Sequence, residues 1–201
     1  DWWLTVHEYG SNRVYKFLIT PNGIDGPYSQ WIGSKMGYFS DWGGQTVFSE
    51  DGNRLVNILA WVVGDSLNWE GSIDLFDFDR CTGELSNWIN WNLIDSFGID
   101  GCSFSHSGQY LYVSNFYSLY QYDINAYDIK LSEKFIAEWD STYAPAPPFA
   151  TWFCLHQLGP DGKIYISTYS STSYMHVIHA PDKSGDSCNF VQKRFYFGAP
   201  L

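Results

Sequence analysis

Positive charge and long apolar runs are both scarce in this sequence. Lysine and arginine together number 11 against 22 aspartates and glutamates, so the formal net charge is −11 at pH 7. An acidic surface repels phosphate backbones, which excludes nucleic acid as a partner. The sequence contains no apolar run of the roughly 18 residues that a membrane-spanning helix needs, so we predict no membrane insertion.

Cysteine pairs and nucleotide-binding motifs are also missing. The four cysteines, Cys81, Cys102, Cys154 and Cys188, form no Cys-x-x-Cys pair, which excludes a zinc ribbon. The sequence leaves every disulfide connectivity open, and it equally allows free, buried thiols. The P-loop, the dinucleotide-binding glycine motif and the Gly-x-Ser-x-Gly motif do not occur, so the usual signatures of nucleotide binding and serine hydrolysis are lacking.

Three polar patterns look like catalytic or metal sites, but their spacing is wrong for that chemistry. His7 and Glu8 are adjacent on a predicted strand, and adjacent side chains of a strand point to opposite faces. The odd spacing of His176 and His179 separates them in the same way. The aspartates of residues 74–79 lack the spacing of an EF-hand loop. We therefore predict no cofactor and no metal site, and calcium stays open without support from spacing.

Aromatic residues and glycine, in contrast, are abundant. Aromatic side chains make up 19% of the chain, which also holds 18 glycines. This composition excludes a disordered chain and favours β-structure, because flat side chains pack well on a pleated surface and glycine suits tight turns. The 201 residues are long enough to build a buried core.

A glycine-containing turn between two apolar runs recurs along the chain. Its copies occupy residues 47–56, 104–113 and 158–166, with Gly52, Gly108 and Gly162 at the matching position. The glycines are 56 and 54 residues apart. A period of about 50 residues is typical of solenoids and propellers.

Each repeat divides into four short strands, which we call A to D from the inside outward. Strands such as Tyr110-Leu-Tyr-Val113 are apolar on both faces, as expected for sheets that pack against a neighbour on either side. We predict an all-β fold, a β-propeller of about four blades of four antiparallel strands. The predicted blades are residues 1–41, 42–98, 99–148 and 149–201. In the second blade, strand B is expected at 54–58 and strand C at 72–78, joined by a long loop over 60–70.

The first blade has no predicted strand A. Its strands B, C and D are expected at residues 2–6, 14–19 and 28–32. We therefore expect the chain to be a segment of a larger propeller of seven or eight blades, completed by the remaining blades or by another chain. Closure with four blades is the alternative, since propellers close with roughly 4–8.

Three phrases of the sequence carry a resemblance to a known family. They are Asp1-Trp-Trp-Leu-Thr-Val-His-Glu-Tyr-Gly-Ser-Asn12, Phe17-Leu-Ile-Thr-Pro-Asn-Gly-Ile24 and Phe76-Asp-Phe-Asp-Arg-Cys-Thr-Gly83. They resemble the WD40-like or lactonase-like propeller domain of large bacterial surface proteins exported by the type IX secretion route. The resemblance implies an extracellular or cell-surface location and further blades before residue 1. It implies no activity for individual residues.

The connections B–C and D–A share one face of a propeller, and long loops on a rigid scaffold usually carry binding. On this loop face the predicted loops 60–70 and 140–152 are long. Aromatic rings mixed with Asp, Asn and Glu suit a carbohydrate or a peptide. The alternative is that these rings only cover the ends of the blades. The candidate binding residues are His7, Glu8, Tyr9, Trp42, Trp61, Trp69, Asp100, Asn115, Tyr117 and Trp152.

Three polar or small residues occupy the same position of successive A strands. Thr46, Cys102 and His156 are therefore expected to point alike, toward the central channel. In the channel these side chains would bind water or an ion, or neighbouring groups would form their hydrogen bonds.

We predict a non-enzymatic module that binds a glycan or a protein on its loop face, or that acts as a rigid spacer. The alternative is a propeller enzyme of the lactonase or hydrolase kind, with a channel metal held by groups such as Glu8, Asp100 and His156. An intracellular interaction propeller is disfavoured, because the Gly-His and Trp-Asp signatures of WD40 repeats are missing where they are expected.

Overall fold

The computed structural model describes residues 1–35, 44–63, 69–93, 99–145, 148–169 and 172–198, without the side chains of 60–63, 69 and 70. Short 3₁₀ helices occupy Lys130–Ser132 and Gly185–Cys188. Neither these nor any other helix in the described ranges has the length and apolar character to cross a membrane.

The described residues form fifteen strands in four antiparallel sheets. The first sheet has three strands, β1 (Trp2–His7), β2 (Arg13–Thr20) and β3 (Gly23–Trp31). The second has four, β4 (Thr46–Phe48), β5 (Arg54–Val63), β6 (Trp69–Phe78) and β7 (Leu85–Leu93). The third consists of β8 (Ile99–Phe104), β9 (Tyr110–Asn115), β10 (Ser118–Asp123) and β11 (Lys134–Glu138). The fourth consists of β12 (His156–Leu158), β13 (Ile164–Ile166), β14 (Tyr174–Ile178) and β15 (Phe190–Tyr196).

The repeated glycine turn joins the first two strands of each four-stranded sheet. Gly52, Gly108 and Gly162 have φ angles of 71°, 72° and 74°, in the left-handed region that a side chain disfavours. Within each turn the glycine N–H donates to a carbonyl three residues earlier, as from Gly108 to Ser105 at 2.9 Å. Local backbone chemistry therefore sets the period that the sequence displays.

The sheets stack in chain order, and each has two buried surfaces. We call the face toward the preceding sheet the leading face, and the face toward the following sheet the trailing face. One apolar cluster, which includes Leu55 and Phe76, fills the space between the first and second sheets. A second, around Val56 and Leu111, joins the second and third, and a third, around Tyr112, joins the third and fourth. Strand β8 contacts both β4 and β12, so the first strands lie innermost.

This arrangement confirms the predicted all-β propeller with four blades, the first of which has three strands here. Two strand bounds differ from expectation. Strand β3 begins at Gly23, before the expected strand at 28–32. The described ends of the predicted loop over 60–70 are paired strand, with Val62 opposite Glu70 and Val63 opposite Trp69. Residues 58–63 are consecutively apolar, and that run extends the hairpin instead of ending it.

Three glutamine side chains link the blades, because each carboxamide forms the two hydrogen bonds with a neighbouring backbone that a strand edge would form. The carboxamide of Gln45 donates to the His156 carbonyl at 2.7 Å and accepts from the His156 and Cys102 N–H groups at 3.0 and 3.1 Å. Gln30 makes the same two-way contact with the backbone of Leu85, and Gln121 with residues 183 and 185. Each pairing satisfies backbone hydrogen-bonding groups across a blade boundary.

A buried carboxylate anchors the segment that follows the first sheet. Asp74 is 0% exposed and accepts hydrogen bonds from the backbone and the hydroxyl of Ser34, both at 2.8 Å. Its other donors are the Trp88 indole at 2.9 Å and the Asn90 amide at 2.8 Å. Four donors compensate a charge that would otherwise be costly to bury.

Candidate ligand-binding site

Six aromatic side chains form one connected cluster on the loop face of the third and fourth blades, and we call it the aromatic cluster. Trp152 is its hub, with ring centroids 5.4 Å from Phe116, 5.7 Å from Tyr117, 6.1 Å from Trp139 and 5.9 Å from Tyr169. The sixth ring, Tyr143, lies 5.5 Å from Trp139. Most of these pairs are edge-to-face, the arrangement that aromatic quadrupoles favour.

Local hydrogen bonds hold the first two rings in place. The side-chain oxygen of Asn115, which is 2% exposed, accepts from the N–H groups of Tyr117 at 2.9 Å and Ser118 at 2.6 Å. This closes the turn between β9 and β10 and directs Phe116 and Tyr117 toward the connection that follows β11. Asn115 was a candidate binding residue, and the structure places it beneath the rings as their support.

The connection after β11 supplies three of the six rings and is itself folded. Tyr143 and Ala150 form an isolated antiparallel bridge, and the Thr151 hydroxyl donates to the Thr142 carbonyl at 3.0 Å. The same hydroxyl accepts from the Trp139 indole at 3.1 Å. These contacts pre-organise the rings, which lowers the entropy lost when a ligand binds.

Polar groups border the cluster on one side. The Lys193 ammonium lies 2.8 Å from a carboxylate oxygen of Asp140 and donates to the Thr142 hydroxyl at 2.7 Å. Burial alone would raise the pKa of Asp140, but hydrogen bonds from Lys193 and Thr142 outweigh it and hold that pKa below its usual value. The cluster therefore has an ionised rim that accepts and donates hydrogen bonds.

Exposure differs across the cluster. Tyr143 and Tyr169 are 56% and 57% exposed, whereas Trp152 is only partly exposed. Tyr143 lies beside Trp139 and Tyr169 beside Trp152. The two open tyrosine rings form a shallow surface on which a sugar ring can stack.

The other candidate binding residues lie elsewhere or outside the described residues. His7, Glu8 and Tyr9 belong to the first blade, where His7 approaches the Asn57 amide at 3.4 Å. Glu8 accepts from the Tyr15 hydroxyl at 2.8 Å, and this bond and one from Ser11 lower its pKa. Trp42 and the side chains of Trp61 and Trp69 fall outside the described residues.

Asp100 and Cys154 form a side-chain pair on neighbouring blades. The thiol donates to an Asp100 oxygen at 2.7 Å, and burial, together with this hydrogen bond, raises the pKa of Cys154 to about 12. A thiol held in its protonated form is a poor nucleophile. All four cysteines are free, and Cys102 and Cys188 are buried.

The three aligned residues of the inner strands point alike, but not into the channel. Cys102 and His156 are 0% and 2% exposed, and each points from its leading face into the boundary with the preceding blade. Thr46 is exposed and donates to the Asn57 side chain at 2.6 Å. Cys102 and His156 therefore lie mainly in blade boundaries, which differs from the channel orientation expected for them. A cavity of about 310 Å³ beside the inner strands is lined partly by Gln45, Ser103 and Gln157.

Two histidines lie buried side by side on the leading face of the fourth blade. His156 and His176 both pair with Ile166, so they share one face. His156 contacts the Ser114 hydroxyl at 2.8 Å, and His176 accepts from the Lys193 N–H at 3.2 Å. Burial lowers the pKa of His156 to about 3 and that of His176 to about 4. Both imidazoles are therefore neutral at pH 7.

The groups proposed for a channel metal do not meet. Glu8 is bonded to Tyr15, Asp100 to Cys154 and His156 to Ser114. Within the part of the chain that the structure describes, no three His, Cys, Asp or Glu side chains are grouped to hold a metal ion.

The sequence pointed to Tyr117 and Trp152 as binding residues, and the structure brings them together. It adds Trp139, Tyr143 and Tyr169, which sequence reasoning did not select. Their common signal is an aromatic residue in a connection that reaches the loop face, but that signal does not say which connections meet in space.

No family model matches this chain, and no curated protein matches it. Solved propeller structures do. The Pseudomonas aeruginosa periplasmic gluconolactonase PpgL is 18% identical with a TM-score of 0.59, over 94% of this chain and 54% of that one. A Lactobacillus plantarum protein is 16% identical with a TM-score of 0.59, over 98% and 53%. A putative 6-phosphogluconolactonase from Bacteroides fragilis is 15% identical with a TM-score of 0.55, over 96% and 51%.

At these identities the likeness concerns the fold alone. This chain spans about half the length of each of these structures. It shares with them a stack of antiparallel blades of the lactonase-like propeller type.

Proposed function

We propose that this chain is a non-enzymatic propeller module that binds a carbohydrate on its aromatic cluster. The observation that carries the proposal is the set of six connected rings, of which Tyr143 and Tyr169 are more than half exposed. Monomeric surfaces seldom expose grouped aromatic rings without a binding role. The rings stack on the C–H faces of a sugar, and the polar rim takes its hydroxyls.

Electrostatics favour a neutral glycan. The chain carries a formal charge of −11, and the rim cation, Lys193, is already paired with Asp140 at 2.8 Å. A carboxylated or sulfated sugar would meet a repulsive field, and the rim cation Lys193 is already engaged by Asp140. Hydroxyls of a neutral sugar need only the hydrogen-bonding groups of Asp140 and Thr142.

The test uses short neutral oligosaccharides of glucose, mannose, xylose and N-acetylglucosamine as probes, first on an array and then by titration calorimetry. We expect binding in the micromolar to millimolar range, with a change in tryptophan fluorescence. Tyr143→Ala and Tyr169→Ala should each weaken binding by about 2- to 12-fold, since one stacked ring contributes about 0.5–1.5 kcal/mol.

Tyr127→Ala is the matched control, because this tyrosine is fully exposed and lies on the third blade away from the cluster. It should leave binding unchanged. If Tyr143→Ala and Tyr169→Ala leave the affinity for every bound sugar unchanged, the site assignment is wrong. If no probe binds, the rigid-spacer function takes its place.

A sugar-lactone hydrolase is the second candidate, because two of the similar structures are named gluconolactonases. It would require ligating or acidic groups to converge, and Glu8, Asp100 and His156 support this poorly, since each is engaged by a different neighbour. Hydrolysis of glucono-δ-lactone above the spontaneous rate in a pH-stat would favour this candidate over the binding module.

We also propose an exported location. The periplasmic gluconolactonase among the similar structures supports export in general. The cell surface and the type IX route rest on the sequence resemblance alone. Detection of the native protein in cell-surface fractions, and its loss when that secretion route is inactivated, would test both.

A further inference from the structure

A second group of aromatic rings lies at the loop-face end of the fourth blade. Tyr174 begins β14 and Tyr196 ends β15, and the strand register places these two residues opposite each other. Their ring centroids are 5.1 Å apart, with an angle of 37° between the ring planes. Tyr196 is 60% exposed and Tyr174 is partly exposed. We call these two rings the tyrosine pair.

The tyrosine pair is on the side of the fourth blade that faces the third. Tyr174 stands two residues before His176 on β14, so the two side chains share the leading face of the sheet. Because Tyr196 pairs with Tyr174, its ring lies on the same face. A further blade after the fourth would cover the opposite, trailing face, which carries Phe195. The surroundings of the tyrosine pair are therefore the third and fourth blades, both of which have four strands.

One connection carries rings of both aromatic groups. The segment between β13 and β14 holds Tyr169 of the aromatic cluster and leads into Tyr174. The hydroxyls of Thr168 and Thr172 lie 2.6 Å apart, and the Thr172 hydroxyl accepts from the Tyr174 N–H at 3.3 Å. Thr172 is 4% exposed, so these contacts are shielded from water. They hold the two groups of rings on the same loop face.

The ion pair of Asp140 and Lys193 links the two groups on the outer side. Asp140 directly follows Trp139 of the aromatic cluster, and Lys193 precedes Tyr196 by three residues, a separation of at most about 11 Å along the chain. The Gln192 carboxamide supports this junction, because it accepts from the Asp140 N–H at 3.2 Å and donates to the backbone of β11 at 2.8 Å. The boundary between the third and fourth blades therefore presents rings, then hydrogen-bonding groups, then rings again.

We propose that the aromatic cluster and the tyrosine pair are two subsites for one linear, neutral oligosaccharide that crosses the boundary between the third and fourth blades. This inference rests on the proposed carbohydrate function and adds the class of substrate, a chain of several sugars. Each group of rings offers a stacking surface to one sugar unit, and the ion pair exchanges hydrogen bonds with the hydroxyls of the units between them. Binding at the second subsite is intramolecular once the first is filled, so a long chain gains affinity that a short one lacks.

The experiment is titration calorimetry with the disaccharide and the hexasaccharide of each sugar that binds on the array. The hexasaccharide should bind more tightly, with one molecule per chain. Tyr196→Ala should lower the hexasaccharide affinity by about 2- to 12-fold, the effect of one stacked ring, and leave the disaccharide affinity unchanged. Tyr143→Ala should lower both affinities. Phe195→Ala is the matched control, because this residue is 46% exposed on the same strand but points to the trailing face, and it should change neither.

The second subsite and the carbohydrate function fail in different ways. If Tyr143→Ala weakens disaccharide binding but the hexasaccharide binds no more tightly than the disaccharide, the aromatic cluster binds sugars and the second subsite is wrong. A gain with chain length that Tyr196→Ala leaves intact comes from the extra binding registers of a longer chain, and it would also overturn the second subsite. Equal losses of both affinities in Tyr196→Ala, in a variant whose thermal melt shows it to be folded, would contradict separate subsites. If neither probe binds, the carbohydrate function is wrong and the second subsite with it.

Discussion

Replacing the two buried histidines of the fourth blade should make stability less sensitive to acid. His156 and His176 are 2% and 0% exposed, with pKa values lowered to about 3 and about 4 by burial. In the unfolded chain each titrates near 6.5. Below about pH 6.5 the unfolded state therefore binds protons that the folded state does not bind. The unfolding free energy is highest above that pH and falls as the pH drops toward the pKa values of the folded state.

The magnitude follows from proton linkage. Between pH 7 and pH 5 an unfolded histidine takes up nearly one proton while the buried ring takes up almost none. At about 1.4 kcal/mol per proton and pH unit, this removes roughly 2 kcal/mol of unfolding free energy for each histidine and roughly 4 kcal/mol for the pair. Most carboxylates titrate lower than this window, which isolates the histidine contribution.

The assay is urea unfolding followed by tryptophan fluorescence at pH 5, 6 and 7, for the wild type and for His156→Gln, His176→Asn and the double variant. Both replacements are polar and do not titrate, and the amide oxygen introduced by His176→Asn can accept the hydrogen bond from the Lys193 N–H group. Each single variant should remove about half of the pH dependence, and the double variant most of it. A double variant whose stability falls between pH 7 and 5 as steeply as that of the wild type would refute the reasoning.

Four further substitutions test the contacts that organise the blades, each by urea unfolding at pH 7. Asp74→Ala removes the buried acceptor of four hydrogen bonds and should cost about 2 kcal/mol or more; a loss below 1 kcal/mol would contradict the anchoring role. Gln45→Ala removes the link to the His156 backbone and should cost about 2 kcal/mol, with an unchanged midpoint arguing against it. Gly101→Ala would bring a Cβ to 1.9 Å from a backbone carbonyl of the next blade and should cost about 3 kcal/mol. Gly108→Ala meets only the strain of φ 72° in open space, so its cost should be nearer 1 kcal/mol, and equal losses at the two glycines would contradict the steric argument.

The repeated turns were predictable because their cause is local. A glycine with a positive φ between two alternating apolar runs specifies a hairpin wherever it occurs, and Gly52, Gly108 and Gly162 all adopt that geometry. Apolar residues on both faces of the strands indicated sheets covered on both sides. The fold class and the stacking of four blades follow from those two local features.

The ends of strands and the direction of side chains were less predictable. The apolar run over residues 58–63 is compatible with a loop that packs on the end of the blade or with a longer hairpin. The pairing with Trp69 and Glu70 shows that it is a longer hairpin. The aligned positions of Thr46, Cys102 and His156 indicated a common direction. That this direction is sideways depends on how the sheets stand around the axis.

Sequence patterns were sufficient to predict a stack of antiparallel β-sheets with aromatic-rich connections on one face. Strand alternation and turn conformation are set by residues close to one another in the chain. The meeting of the aromatic rings depends on tertiary packing, because their connections are brought together by the packing of the third blade on the fourth; these rings are Tyr117, Trp139, Tyr143, Trp152 and Tyr169. The same packing buries His156 and His176, since burial depends on what lies across the interface and not on the residue's own neighbours in sequence.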